Sequence, residues 1–456
     1  MTRVVIIGGG PGGYEAALVA RQDGAEVIVV EREGLGGSAV LTDVVPSKGL
    51  ISVGSVLTRF QESVTLGITS TAPATADLAA INERLKKMAN TQSRDIGHRL
   101  DREGITVIHG TARLLSDHEV EVTVATVREV LEADVILLAT GARPRVITSA
   151  TPDGQRILTW EQLYNLTELP THLIVVGSGV TGAEFASAYH ALGCQVTLVS
   201  SRDRVLPGED SDAATVIENV FIRRGVSVIN QARAAAVTNT GDGVEVELAD
   251  GRTIVGSHCL MAVGSLPNTE ELGLAEAGVA LDRNGFIEVD RVSRTSARGV
   301  YAAGDCTGVL MLASTAAMQG RIAMRHALGG AVTPLDLDTV AANVFTDPEI
   351  ATVGVTQAQV DAKEVVADCV LLALNTNPRA KMQELHDGFV KLFCVPSTRT
   401  VIGGVVVAPN ASELIFSITL AVTHKLTVDD VASTFTVYPS LSGSIAEAAR
   451  RLHTSD

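Results

Sequence analysis

Four consecutive apolar residues, Val4 to Ile7, run directly into Gly8-Gly9-Gly10-Pro11-Gly12-Gly13. A short apolar run ending in a glycine cluster predicts a buried strand that closes in a tight turn. Small and apolar residues at helical spacing follow. Gly24 then breaks the pattern, and a second apolar run leads to Glu31. The same order recurs at Leu173 to Ser200. VVIIGGGPGGYEAALVARQDGAEVIVVE and LIVVGSGVTGAEFASAYHALGCQVTLVS are each 28 residues long. Both read as strand, G-x-G-x-x-G, helix and strand, so the chain repeats one unit.

The glycine spacing points to a dinucleotide. Gly8 and Gly177 serve the tight turn, Gly10 and Gly179 let the backbone approach a pyrophosphate, and Gly13 and Gly182 let the helix lie close on its strand. The helix N-terminus then meets the phosphate charge with free N–H groups. The copies differ at the end of their second strands. Glu31, 23 residues after Gly8, suits the hydroxyls of an adenosine ribose, whereas copy two has Ser200 there, followed by Ser201, Arg202 and Arg204. Loss of the acid removes repulsion against a 2′-phosphate, so NADPH would be accepted as well as NADH; solvated surface charge is the alternative for the arginines. Two dinucleotide sites in one chain suggest an electron relay between two dinucleotides.

Later elements are fewer. Val300 to Asp305 reads as a short buried strand ending in a carboxylate that faces a bound cofactor, or as a plain strand-end turn. Gly388 to Cys394 and Thr400 to Val407 look strand-like, Glu413 to Leu426 helical, and together they predict an antiparallel sheet with helices. Thr65 to Asp77 reads as a loop. The expected organisation is residues 1–150, 151–272, a return to the first domain over 273–340, and a last domain over 341–456, with parallel sheets in the first three parts.

Composition narrows the function. The formal net charge of −16 repels phosphate backbones and anionic lipid, and one Trp, five Tyr and nine Phe supply few stacking platforms, so nucleic acid is not an expected partner. No charge-free run exceeds 17 residues, and the opening apolar stretch breaks after four, so neither a membrane span nor a signal peptide is expected. A cytoplasmic chain is the expectation. Five scattered cysteines and ten scattered histidines show no CxxC pair, disulfide framework or metal-ligand spacing.

With these pieces in order, the sequence resembles the flavoprotein disulfide reductases, the family of dihydrolipoamide dehydrogenase and glutathione reductase, over nearly its whole length. The marks are the first GxGxxG with Glu31; Gly36-Gly37 leading to Pro46-Ser47-Lys48; Ala139 to Pro144; the second GxGxxG with Glu184; Ala262 to Asn268; Gly304-Asp305; and Val344 to Glu349. The resemblance implies an α/β fold of two Rossmann-like domains, for FAD and for NAD(P), and a C-terminal α+β dimerisation domain. It implies FAD contacts at Gly8, Gly10, Gly13, Glu31, Gly37, Ser38, Lys48, Ala112, Thr140, Gly141, Arg143, Gly304, Asp305, Leu312 and Ala313. Contacts to NADPH or NADH would come from Gly177, Gly179, Gly182, Glu184, Ser200, Ser201, Arg202 and Gly264. Lys48 would lie beside flavin N5 and pair with Glu184, and both rank as catalytic.

Two family features are missing. The Cys-x4-Cys positions after Gly36-Gly37 hold Ala39 and Val44, so no dithiol can exchange with a substrate. Near the C-terminus, Tyr438 and Gly443 replace the family's acid–base His and its supporting Glu. A phenol is a poor base at neutral pH. The expected activity is therefore an NAD(P)H:quinone oxidoreductase, like the quinone reductases of this family that lack the disulfide. Ala39 and Val44 would line an apolar cavity for the quinone, and Tyr438 of a second subunit in a homodimer would reach it. The alternatives are a thiol oxidoreductase using another cysteine, Cys306 being nearest the flavin, and a non-catalytic dimer that senses flavin or NAD(P)H.

Overall fold

The structure, a computed structural model, describes residues 1–453. The chain forms two compact units. The first comprises Met1–Gly49, Asn82–Arg145 and Gly264–Asp336, and the second Leu50–Ile81, Val146–Val263 and Leu337–Asp456.

In the first unit, the apolar runs become a parallel sheet in the order Val300–Ala302, Val135–Leu138, Arg3–Ile7, Glu26–Glu31, Thr106–His109. Its central strands are buried almost end to end because both faces are covered, which is why they read as continuous rather than alternating apolar sequence. One face packs on the helices Pro11–Gln22 and Ala313–Ala327. The other packs on Leu114, Val120, Val122 and Ile287. Those residues come partly from a three-stranded antiparallel sheet, Thr111–Leu114, Glu119–Val124 and Val127–Glu132. The expectation of parallel strands throughout this region is corrected here: Glu119–Val124 alternates inward and outward residues, the mark of a sheet with one wet face.

The second unit repeats the parallel layout with Ser227–Ile229, Gln195–Val199, His172–Val176, His258–Met261 and Ile157–Leu158 in that order. It also carries an antiparallel meander, Ala234–Asn239, Val244–Leu248 and Thr253–Gly256, again where parallel pairing was expected. Its C-terminal part is a five-stranded antiparallel sheet backed by helices. There the predicted strands are Phe389–Cys394 and Val401–Ala408, and the helix is Ala411–Thr423, starting two residues early after Asn410. One helical stretch, Gly37–Leu66, is long and apolar enough to cross a membrane by length and composition alone. It is broken at Thr42–Asp43 and carries Lys48, Arg59 and Glu62, so it offers no continuous apolar surface of that length.

Candidate functional site

The two glycine turns share one geometry. Gly8 has φ +104° and sits where a Cβ would lie 2.2 Å from the Ala139 carbonyl oxygen, and Gly177 has φ +111° with the Ala262 oxygen at 2.1 Å. Gly13 and Gly182 bring their helices so close that a Cβ would fall 1.9 and 1.8 Å from the carbonyl oxygens of Gly8 and Gly177. The middle glycines differ in kind. Gly10 and Gly179 have ordinary extended backbone, and a Cβ on either would meet no protein atom within 4 Å. A pyrophosphate approaching the turn would account for glycine at positions with room to spare.

Around the first turn the structure gathers much of the predicted set. The Gly36 N–H donates to the Gly9 carbonyl at 2.8 Å, and Gly37 packs against Gly10, which carries the exposed Ser38 alongside. Glu31 is buried. Its Oε2 accepts from the Gly9 N–H at 2.6 Å and its Oε1 from the Glu33 N–H at 2.7 Å. Thr140, Gly141 and Arg143 follow the strand Val135–Leu138 and are cross-braced to Asn268: Thr140 Oγ1 donates to the Asn268 carbonyl at 2.7 Å, and the Asn268 N–H donates to the Gly141 carbonyl at 3.0 Å. Arg143 donates to the Asn268 side chain at 3.2 Å and pairs with Glu270 at 2.8 Å. Ala112 is half-buried on the antiparallel sheet.

The Gly304–Asp305 turn ends the strand Val300–Ala302 and is held by Gln319. That fully buried amide accepts from the Gly304 N–H at 2.8 Å and donates to Thr307 at 3.3 Å. Sequence reasoning missed Gln319. Its signal was a lone amide among the small residues of the helix Ala313–Ala327. Leu312 and Ala313 form the start of that helix, whose Gly320 packs on the carbonyl of Gly12. Burial, and secondarily the Asp43 carboxylate, push the Asp305 carboxyl up to about 6, with no donor among the described residues facing it. A half-enclosed acid without a partner suits the hydroxyls of a ribityl chain. Together with the empty space at Gly10, it fits the first turn to FAD.

Ala39 lies in the helix Gly37–Leu41 and Val44 opens the helix Val44–Glu62, with Thr42 and Asp43 between the two, and Lys48 is half-buried one turn further on. All five cysteines are free, with Cys369 exposed and the others buried.

In the second copy, Ser200 is fully enclosed. Its hydroxyl receives a hydrogen bond from Ser178 at 2.7 Å and bonds to the Arg204 carbonyl at 3.1 Å, which leaves Ser201 and Arg202 as the exposed groups of the predicted set. Glu184 lies buried on the helix Val180–Ala191, and its Oε1 accepts from the Phe345 N–H at 2.8 Å. Phe345 thus joins the site through its backbone, a role no side-chain pattern reveals. Gly264, φ +96°, stands in open space at the start of the strand Ser265–Pro267. Tyr438 lies in the C-terminal part of the second unit, 82% exposed, next to Val437 and a fully exposed Phe435.

The family model described as pyridine nucleotide-disulphide oxidoreductase matches residues 2–320, and its dimerisation domain matches residues 340–449. A curated Mycobacterium tuberculosis protein named NAD(P)H dehydrogenase (quinone) is 55% identical over 100% of this chain and 95% of its own length. Dihydrolipoyl dehydrogenase 2 of Haloarcula marismortui is 32% identical over 98% of this chain and 96% of its own. Among solved structures, LpdA of M. tuberculosis superposes with a TM-score of 0.96, covering 100% of both chains at 55% identity. The flavoprotein disulfide reductase RclA of Escherichia coli, as its Cu(II) complex, gives 0.88 at 25% identity over 99% of each chain.

Proposed function

This chain belongs to the pyridine nucleotide-disulphide oxidoreductase family, whose members use FAD and NAD(P)H, and on that premise we propose that it reduces quinones directly from its flavin with no sulfur relay. The observation that carries the reading is Ala39 and Val44 in place of the family's thiol pair, in a chain whose cysteines are all free. Cys306 offers no substitute. It is fully buried, and burial pushes its thiol up to about 11, far from the thiolate form that exchange needs. The 55% identity to a protein named NAD(P)H dehydrogenase (quinone) supports the same acceptor class.

This reading gives each site residue a role. Gly8, Gly10 and Gly13 would seat the FAD pyrophosphate at a helix N-terminus, Glu31 would take the adenosine ribose, and Asp305 the ribityl hydroxyls. Gly37, Ser38, Ala112, Thr140, Gly141, Arg143, Gly304, Leu312 and Ala313 would complete that wall, with Lys48 beside the ring system. Bound FAD supplies the hydride chemistry. Gly177, Gly179, Gly182, Ser201, Arg202 and Gly264 would hold the nicotinamide dinucleotide, and Ser200 would shape the bend that presents Ser201 and Arg202. The Phe345 N–H holds one oxygen of Glu184, and in this reading Glu184 would stand on the nicotinamide side.

The protein would act as a cytoplasmic homodimer. Phe416, Phe435, Val437 and Tyr438 are all more than half exposed in the single chain, more apolar surface than one protomer leaves open without use. Tyr438 would present its hydroxyl to a quinone oxygen in the second subunit. Steady-state assays with NADPH and NADH against benzoquinones, naphthoquinones, lipoamide and glutathione disulfide test the proposal. Parallel double-reciprocal lines with quinones and no disulfide turnover are expected. Inertness toward every quinone would refute it.

A further inference from the structure

A cavity of about 270 Å³ lies wholly within the second unit, lined in part by the far half of the helix Val180–Ala191 that the second glycine turn opens. One wall is apolar, from Ile51, Ala188, Ala191, Phe221 and Val226. The other is built round Arg224, whose guanidinium donates to the Asp347 carbonyl at 2.9 Å and pairs with the carboxylates of Asp347 and Glu62 at 3.1 Å each. Two acids against one guanidinium leave this wall with an excess negative charge. His190 adds none: burial holds its imidazole below the usual histidine range, and its Nδ1 is enclosed with no partner among the described residues.

The cavity also touches the nicotinamide side through one short segment. The Asp347 N–H donates to Ser187 at 3.3 Å in the cavity wall, and two residues earlier the Phe345 N–H holds Glu184 at 2.8 Å. Ser187 and Glu184 sit three positions apart on the same helix, so they share a face.

We propose that this cavity binds a small organic cation, an ammonium or amidinium on a compact apolar body of about one aromatic ring, and that its occupancy adjusts the Phe345–Asp347 segment and with it Glu184. The apolar wall takes the ring, and the carboxylates of Glu62 and Asp347 take the cationic head. An anion is disfavoured, because it would have to displace a carboxylate from Arg224. The binding claim stands without the quinone reading; the coupling claim rests on the proposed place of Glu184 beside the nicotinamide.

The test uses the FAD-loaded protein and phenethylammonium and benzamidinium as probes, with benzoate and benzyl alcohol as controls. Calorimetry is expected to show saturable binding of the two cations at one site per chain, at least tenfold weaker in Glu62→Gln, which removes a charge from an exposed side chain. Ser55→Leu, which fills the cavity from a helix surface, should abolish it. Saturating phenethylammonium should change the rate of flavin bleaching by NADPH at least twofold, with the flavin spectrum unaltered beforehand. Absent binding, equal binding of benzoate, or binding untouched by both substitutions would overturn the site. Normal binding with an unchanged bleaching rate would overturn the coupling alone and leave the quinone reading intact.

Discussion

Replacing Gly10 by alanine separates what the first turn does for the fold from what it does for the ligand. Gly10 has φ −67° and ψ −177°, a conformation alanine adopts without strain, and the new methyl would meet no protein atom within 4 Å. The apoprotein should therefore unfold at unchanged or slightly higher denaturant, by about 0.5 kcal/mol from the stiffer unfolded chain. With FAD seated as proposed, the methyl would stand in the path by which the pyrophosphate reaches the turn. Losing two hydrogen bonds to charged oxygens, at about 1.5–3 kcal/mol each, would weaken FAD binding by about 3–6 kcal/mol, or roughly 10²–10⁴-fold in Kd. Gly179→Ala is the twin in the second copy, with the same open space and φ −71°. It should leave the flavin in place and raise KM for NADPH by about 10²-fold or more. The assays are flavin stoichiometry after dialysis, guanidinium unfolding of the apoprotein, and initial rates. Retention of full flavin by Gly10→Ala, or loss of flavin from Gly179→Ala, would refute the assignment of turns to ligands.

Three other substitutions probe separate links. In the apoprotein Asp305 has its carboxyl raised to about 6, so the folded state favours the neutral acid, and stability attributable to this group falls as pH rises from about 4 to about 6. Asp305→Asn should accordingly stabilise the apoprotein by about 2–3 kcal/mol above pH 6 and by little at pH 4, while weakening FAD binding; a pH-independent difference in urea unfolding would contradict this. Lys391→Met removes a fully buried ammonium that bridges Asp210 at 2.7 Å and Asp212 at 2.6 Å, leaving the enclosed Asp210 carboxylate uncompensated. Unfolding should be easier by about 3–5 kcal/mol, and a loss under 1 kcal/mol would show the pair to be dispensable. Tyr438→Phe should raise KM for a naphthoquinone about fivefold, the worth of one hydrogen bond of ~1 kcal/mol, without altering reduction by NADPH; unchanged quinone kinetics would remove the phenol from the acceptor site.

The duplicated unit was legible because glycine, unlike most residues, reports backbone geometry directly: the clashes waiting at Gly8, Gly13, Gly177 and Gly182 leave no other choice of residue. Continuous apolar runs such as Val4–Ile7 were equally plain, since burial on both faces removes any polar position. The two three-stranded antiparallel sheets were harder. Strands such as Val127–Glu132 are mostly exposed and carry no burial pattern to read. Gln319 and the Phe345 N–H escaped notice for another reason. Each acts through a hydrogen bond to a backbone or from one, so its partner is set by tertiary placement rather than by spacing along the chain. Ser200 shows the same limit: its type was informative, yet its enclosure against Ser178 comes only from the fold.

Anaerobic titration of the FAD-loaded protein with NADPH, followed by absorbance, asks most directly whether any sulfur stores electrons beside the flavin. Complete bleaching at one NADPH per FAD, two electrons in all, with no long-wavelength band during the titration, is the predicted endpoint for a chain with Ala39 and Val44 at the dithiol positions. Uptake of a second equivalent, four electrons per FAD, would mean that a disulfide takes part after all and would contradict direct transfer from flavin to acceptor.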